Sequence, residues 1–211
     1  MSARRLPLFV VVEGLDGVGK STVVDLLAQR LAAVPLRTPP RELAEARVSI
    51  LRCYERAPLA TTLFYASTLA AVSRDIAQLQ AAGRAVVLDR YYLSTCVYGE
   101  VVRPMEHPAD LLEQLSARLI PADVTVYLHA ERDCRRRRMQ ERSHIGHEDG
   151  LTFDPGISDK LDAGFRACAG HRVAGRFLPV ETTRMDAVHV VDHICRTLAV
   201  PAPGTQGGGA A

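Results

Sequence analysis

A three-layer α/β domain, with a five-stranded parallel sheet covered by helices on both faces, is the fold this sequence predicts. Three observations predict it. Short β-branched runs alternate along the chain with stretches whose apolar residues recur at helical spacing. A glycine-rich loop joins the first such strand to the first helix. The strand at 84–90 then ends in adjacent opposite charges, Asp89 and Arg90.

The elements follow in order. LFVVVEG (8–14) is a β-branched run closed by glycine, so it reads as a strand buried on both faces. KSTVVDLLAQRLAA places Val23, Leu26, Leu27 and Leu31 on one helical face. PLRTPPREL starts as a short strand that its prolines break into a loop. Residues 42–56 and 59–83 read as two helices, the second stopped by Gly83. RAVVLDR is a buried strand, 92–102 and 107–120 are helices, and Pro121 ends the latter. DVTVYLH is a fourth strand and 131–143 an arginine-rich helix. The polar, aperiodic stretch 144–156 reads as a mobile loop. A helix over 157–173, the strand RFLPVE and a helix over 184–199 complete a domain spanning 1–200, with a disordered tail at 201–211. Strand–helix alternation of this kind requires right-handed crossovers.

Composition narrows the function. A chain of 211 residues with 47% hydrophobic and 24% charged residues fits one soluble globular domain. A net charge of +2 gives no reason to expect nucleic acid or an anionic membrane as partner. No run approaches the ~20 apolar residues of a membrane helix, and the start resembles no cleavable leader, so the expected location is the cytoplasm. Five scattered cysteines without a C-x-x-C pair argue for a reduced protein. Cys134, His144, His147 and Cys168 fit no compact zinc spacing.

The loop Gly14-Leu15-Asp16-Gly17-Val18-Gly19-Lys20-Ser21 satisfies G-x-x-x-x-G-K-[ST] in the strand-to-helix context that motif requires. Gly14, Gly17 and Gly19 let backbone N–H groups turn inward, so that Val18, Gly19, Lys20, Ser21 and Thr22 cradle phosphate oxygens at a helix N-terminus. Lys20 reaches the β- and γ-phosphates of ATP, and Ser21 ligates Mg²⁺. A buried strand carries Asp89 and Arg90 to the same sheet edge, where ligands of open α/β sheets bind. Asp89 there holds Mg²⁺, directly or through water, and Arg90 grips a phosphoryl group. Six arginines, Arg132, Arg135, Arg136, Arg137, Arg138 and Arg142, crowd the basic helix. Arg132 and Arg136 share one face, as do Arg138 and Arg142. Helix and following loop, about 132–157, read as a lid closing over a transferred phosphoryl group.

EGLDGVGKST, LFYAS, LDRYYLST with Tyr98 nearby, and the arginine-rich helix together resemble the thymidylate kinase family of P-loop nucleoside monophosphate kinases, from about residue 8 to 198. The glycine at 17 combined with lid arginines resembles the bacterial arrangement. The resemblance implies a P-loop kinase fold, ATP and Mg²⁺, a nucleoside monophosphate acceptor and a homodimer. It further implies that Asp16 accepts a hydrogen bond from the acceptor's 3′-hydroxyl and that Arg90 binds its phosphate. Phe64 would stack on the base, Thr95 lie beside it, Tyr98 favour deoxyribose, and Arg136 and Arg138 act from the lid.

Two departures from the family pattern stand out. LRTPPRE replaces the usual T-R-E-P-G, leaving Arg37, or Arg41 close behind it, as the acceptor-phosphate arginine. Thr68 occupies the position where relatives place an arginine that donates to thymine O4. A hydroxyl donates or accepts, so dTMP stays the default acceptor while a cytosine or modified pyrimidine nucleotide is an alternative. A kinase of nucleosides or other alcohols would require a base, for which Glu13 and Asp16 are the loop candidates. A non-catalytic nucleotide-binding module is the remaining alternative.

Overall fold

The structure is a computed structural model, and it describes residues 6–102, 108–141 and 151–199. The tail at 201–211, Arg142, His144, His147 and most of the expected loop lie outside these residues.

Five parallel strands form one sheet in the order β2-β3-β1-β4-β5. They are β1 (Phe9–Gly14), β2 (Val34–Arg37), β3 (Val86–Asp89), β4 (Val124–His129) and β5 (Arg176–Glu181). All six residues of β1 are buried, as its central place between β3 and β4 demands. The helices are α1 (Lys20–Leu31), α2 (Ala44–Cys53), α3 (Pro58–Ala81), α4 (Tyr92–Val102), α5 (Pro108–Ser116), α6 (Arg132–Gln140), α7 (Pro155–Ala167) and α8 (Ala187–Thr197). α1 packs with α8, while α4 packs with α3, α5 and α7, which gives the layers on the two sheet faces. Phe9, Leu27, Leu69, Ile76, Leu88, Leu128, Phe165 and Ile194 have no solvent exposure and join these layers. Each such side chain contributes about 1.5–3 kcal/mol by leaving water.

Register fixes the site. Val12 of β1 pairs with Asp89 of β3, and Asp89 pairs in turn with Arg37 of β2. The glycine loop, the Asp89-Arg90 step and the end of β2 therefore emerge side by side at the carboxyl edge.

Element boundaries differ from expectation at several places, and the helix expected over 157–173 ends at Ala167, with two 3₁₀ turns, Cys168–Gly170 and Arg172–Ala174, after it. The first of the paired helices starts as a single 3₁₀ turn over Arg41–Leu43 and ends at Cys53. α5 ends at Ser116, short of the expected 120. The stretch 154–156, expected in a loop, opens α7: the Asp154 carboxylate accepts from the Ile157 N–H, and Pro155 stands in the first turn, where it needs no donor.

Candidate active site

Close approach dictates the glycines of the loop. A Cβ on Gly14 (φ +141°) would run into the Leu128 carbonyl of β4. One on Gly17 (φ +84°) would sit 2.5 Å from the Arg135 carbonyl of α6. The loop is thus wedged between β4 and α6, and α1 begins at Lys20 directly after it. Val18 is buried, and its carbonyl accepts from the Thr182 hydroxyl at 3.1 Å. Thr22 is exposed on the first turn of α1.

Lys20 is nearly buried, with Nζ donating to the Leu15 carbonyl at 2.8 Å and lying 3.7 Å from Asp16. Burial, then the nearby Arg90 charge, lowers its pKa to about 8. The Ser21 hydroxyl donates to Asp89 Oδ2 at 3.0 Å, while Asp89 Oδ1 is buried without a hydrogen-bond partner. A hydroxyl beside a carboxylate with an unsatisfied oxygen is a hard-oxygen donor set, and it fits Mg²⁺.

Arg90 takes a left-handed conformation (φ +67°), uncommon for a side chain of its size. Its own N–H is fixed by the Val12 carbonyl at 3.0 Å, which aims the guanidinium across the cavity. There it donates to Asp16 Oδ1 at 2.5 Å and Ser94 Oγ at 3.1 Å, and lies 5.3 Å from the Tyr98 ring centroid. Burial pushes the Asp16 carboxyl up, but Arg90 and Lys20 pull it down further, so the group is held ionised. The Tyr98 hydroxyl donates to its other oxygen at 3.5 Å.

These groups line a cavity of about 300 Å³, together with Arg37, Thr38, Arg47, Tyr65, Ser94 and Thr95. Of the residues expected from sequence, the structure brings Asp16, Gly17, Gly19, Lys20, Ser21, Arg37, Asp89, Arg90, Thr95 and Tyr98 to one place. Arg37 lines the cavity and Arg41 does not.

Phe64, Thr68, Arg136 and Arg138 do not line this cavity, and neither do Gly14, Val18 and Thr22 of the loop and first helical turn. Phe64 packs edge-on against Tyr65, with centroids 5.2 Å apart, and it is Tyr65 that faces the cavity. Thr68 is buried in α3, its hydroxyl donating to the Tyr65 carbonyl at 2.8 Å. Arg136 is exposed, with its guanidinium 5.9 Å from the Phe153 ring centroid. Arg138 donates to the carbonyls of Thr182 (2.7 Å) and Val18 (3.4 Å), tying α6 to the segment after β5.

The arginine that touches the loop nearest the cavity is Arg135. It is 2% exposed and donates to the Asp16 carbonyl at 3.3 Å, the Thr152 carbonyl at 3.3 Å and the Ser158 hydroxyl at 2.6 Å. A signal for it existed: Arg135 shares a helical face with Met139, four residues on, and both are buried.

Glu13, weighed from sequence as a catalytic base, has no solvent exposure. It accepts from the N–H groups of Tyr91 (2.8 Å) and Ser94 (3.1 Å) and from the Ser94 hydroxyl (2.5 Å), anchoring the start of α4. Burial raises its pKa despite these bonds.

A phosphate loop opening α1, faced by a strand-borne Asp-Arg pair over an open parallel sheet, defines a P-loop phosphotransferase. Comparison with known proteins narrows the class. The sequence model of the thymidylate kinase family matches residues 12–161. A thymidylate kinase of Ruegeria pomeroyi is 31% identical over 210 residues, covering 90% of this chain and 97% of the relative. One of Jannaschia sp. is 32% identical over 176 residues, covering 77% and 83%. The fold matches solved thymidylate kinases from Candida albicans (TM-score 0.73, 16% identity, 93% of both chains) and Ehrlichia chaffeensis (0.67, 20%, 92% of this chain and 100% of that one). The chain belongs to the thymidylate kinase family, and so to the nucleoside monophosphate kinases.

Proposed function

We propose that the protein transfers the γ-phosphoryl group of ATP to dTMP, giving dTDP and ADP. The observation that carries this is Asp16. One carboxylate on the phosphate loop meets Arg90 and Tyr98 inside a single cavity, so the loop that holds the donor nucleotide also supplies a contact for the acceptor.

The reaction is in-line attack by an acceptor phosphate oxygen on the γ-phosphorus, with the β–γ bridging oxygen leaving on ADP. The attacking oxygen is already anionic, so no general base is required. That suits a site in which Glu13 is sealed against α4 and Asp16 is bound by Arg90 and held below the usual carboxylate range, and it weighs against an alcohol acceptor. Lys20 neutralises the donor phosphates, and Arg90, with Arg37, holds the acceptor phosphate in line. Asp16 accepts from the sugar hydroxyl, and Tyr98 packs beside it. Ser21 and Asp89 would hold Mg²⁺, which supplies charge neutralisation on the phosphates. Arg135 and Arg138 fix α6 against the loop and the segment after β5, which leaves the exposed Arg136 as the arginine of α6 to meet the transferred group.

Among the described residues no helix is long and apolar enough to cross a membrane. The small net charge supports a reading in which the enzyme acts on free nucleotides in the cytoplasm. The exposed Val48, Leu59 and Leu63 of α2 and α3 offer an apolar surface for a homodimer. Steady-state assays varying ATP and dTMP test the activity. Saturable, EDTA-sensitive ADP formation that depends on dTMP is expected; no ADP above background with any pyrimidine monophosphate would overturn it.

A further inference from the structure

Thr38 carries a hydroxyl that the rest of the chain does not satisfy. The residue is 6% exposed, and its Oγ1 is buried with no hydrogen-bond partner among the described residues. Thr62 Oγ1, Asp89 Oδ1 and Arg132 Nε share that condition, but of these residues only Thr38 and Asp89 line the active-site cavity. Mg²⁺ would account for Asp89. Nothing yet accounts for Thr38.

Its place is set by the strand register. Arg37, the last residue of β2, pairs with Asp89, and the Thr38 N–H continues the ladder by donating to the Asp89 carbonyl at 3.0 Å. Thr38 therefore follows Arg37 directly and lies alongside the Asp89-Arg90 step, and all of these residues line the same cavity. The backbone is pinned, and branching at Cβ restricts χ1, so the hydroxyl has few places to go.

A buried hydroxyl left unpaired lowers stability, and a valine of the same shape would avoid that penalty. A polar atom in such a place points to a partner that arrives with the substrate. Between two guanidinium-bearing residues, that partner is an anion.

We infer that the Thr38 hydroxyl donates to a phosphate oxygen of the acceptor nucleotide, beside the charges of Arg37 and Arg90. The inference rests on the nucleoside monophosphate kinase reading and deepens it. Long guanidinium side chains supply charge, whereas a short hydroxyl on a pinned backbone fixes where one oxygen sits. Holding that oxygen leaves another of the same phosphate free to attack the γ-phosphorus.

The test measures calorimetric binding of dTMP and of thymidine, which lacks only the phosphate, to wild type, Thr38→Val and Thr38→Ser. Thr38→Val should weaken dTMP binding about 10- to 100-fold and leave thymidine within twofold. Thr38→Ser keeps the hydroxyl and should hold dTMP binding within about threefold of wild type. In steady-state assays the KM for dTMP should rise in Thr38→Val while the KM for ATP stays within twofold. Ligand-free Thr38→Val should unfold at a denaturant midpoint no lower than wild type, because no hydrogen bond is lost. Unchanged dTMP binding in Thr38→Val overturns the inference, and an equal loss with thymidine overturns it by moving the contact to the sugar or base. A lower midpoint with both ligands weakened alike would make the hydroxyl structural and overturn it too. If wild type binds dTMP but forms no ADP, the kinase reading fails alone, and a dTMP-selective loss in Thr38→Val still supports the phosphate contact.

Discussion

Arg90 and Asp16, 74 residues apart, meet at 2.5 Å over the phosphate loop, and each sets the state of the other. The guanidinium keeps Asp16 ionised in a buried place, and Asp16 balances the charge of Arg90 before any phosphate arrives. Arg90→Lys replaces a fork that reaches both Asp16 and Ser94 with a single ammonium. The acceptor kcat/KM should fall about 100- to 1000-fold, with a smaller change in the KM for ATP. Asp16→Asn should raise the acceptor KM about tenfold by losing a charged acceptor for the sugar hydroxyl. Two-substrate kinetics check both, and an unaltered acceptor KM in Asp16→Asn would remove the sugar contact from the mechanism.

Lys20 gives the site a pH dependence. With burial first and Arg90 second lowering its pKa to about 8, the ligand-free lysine loses its proton just above neutrality. Anionic phosphates select the ammonium form, so ATP affinity should be flat below pH 8 and fall as pH rises beyond it, by up to about tenfold per unit. In Lys20→Met, binding should be weak and lack this inflection. Titrations of ATP between pH 6.5 and 9.5 make the comparison. Stability runs the other way. The folded pKa lies below the unfolded value of 10.5, so the unfolded chain binds more protons between about 8 and 10.5, and this group makes folding more favourable as pH rises through that window.

Gly17 couples the loop to α6. Gly17→Ala adds a strained φ and a Cβ only 2.5 Å from the Arg135 carbonyl, so α6 must shift. Gly19→Ala brings the strain alone, because nothing lies within 4 Å of a Cβ there. Gly17→Ala should therefore reduce kcat by about tenfold or more and speed tryptic cleavage at the arginines of α6. Gly19→Ala should leave that cleavage unchanged. Equal proteolysis of the two variants would show that the loop does not hold α6.

Glu13 is a structural carboxylate. Glu13→Ala strands three buried donors at the start of α4 and should cost about 3–5 kcal/mol of stability. Glu13→Gln keeps an acceptor for the two N–H groups and can donate to the Ser94 hydroxyl, so its cost should be nearer 1–2 kcal/mol. Denaturant unfolding measures both. A Glu13→Gln variant that unfolds normally yet is inactive would return Glu13 to the chemistry.

Some of this was legible without coordinates because local chemistry carries it. Three β-branched runs (LFVVVEG, RAVVLDR and DVTVYLH), a phosphate loop between strand and helix, and Asp89-Arg90 at a strand end each occupy a few consecutive residues. Their physics is contained there: strand periodicity, glycine at positive φ, a helix N-terminus. The Asp154-Pro155 helix start was equally local and was passed over because glycine and a polar stretch surround it.

The residues that escaped sequence reading depend on side-chain direction between elements. Tyr65 instead of Phe64 facing the cavity, and Arg135 instead of Arg136 reaching the loop, are one-residue differences of about 100° around a helix axis. Neighbouring helices set that rotation. The sequence by itself determined the sheet, the phosphate loop, Lys20, Ser21, Asp89 and Arg90, because those functions are written in contiguous motifs. Only the tertiary structure decided that Glu13 is sealed beneath α4, that Arg135 clasps the loop, and that Arg47 enters the cavity from α2. Each of those depends on which faces are buried against one another, and packing across the chain fixes that.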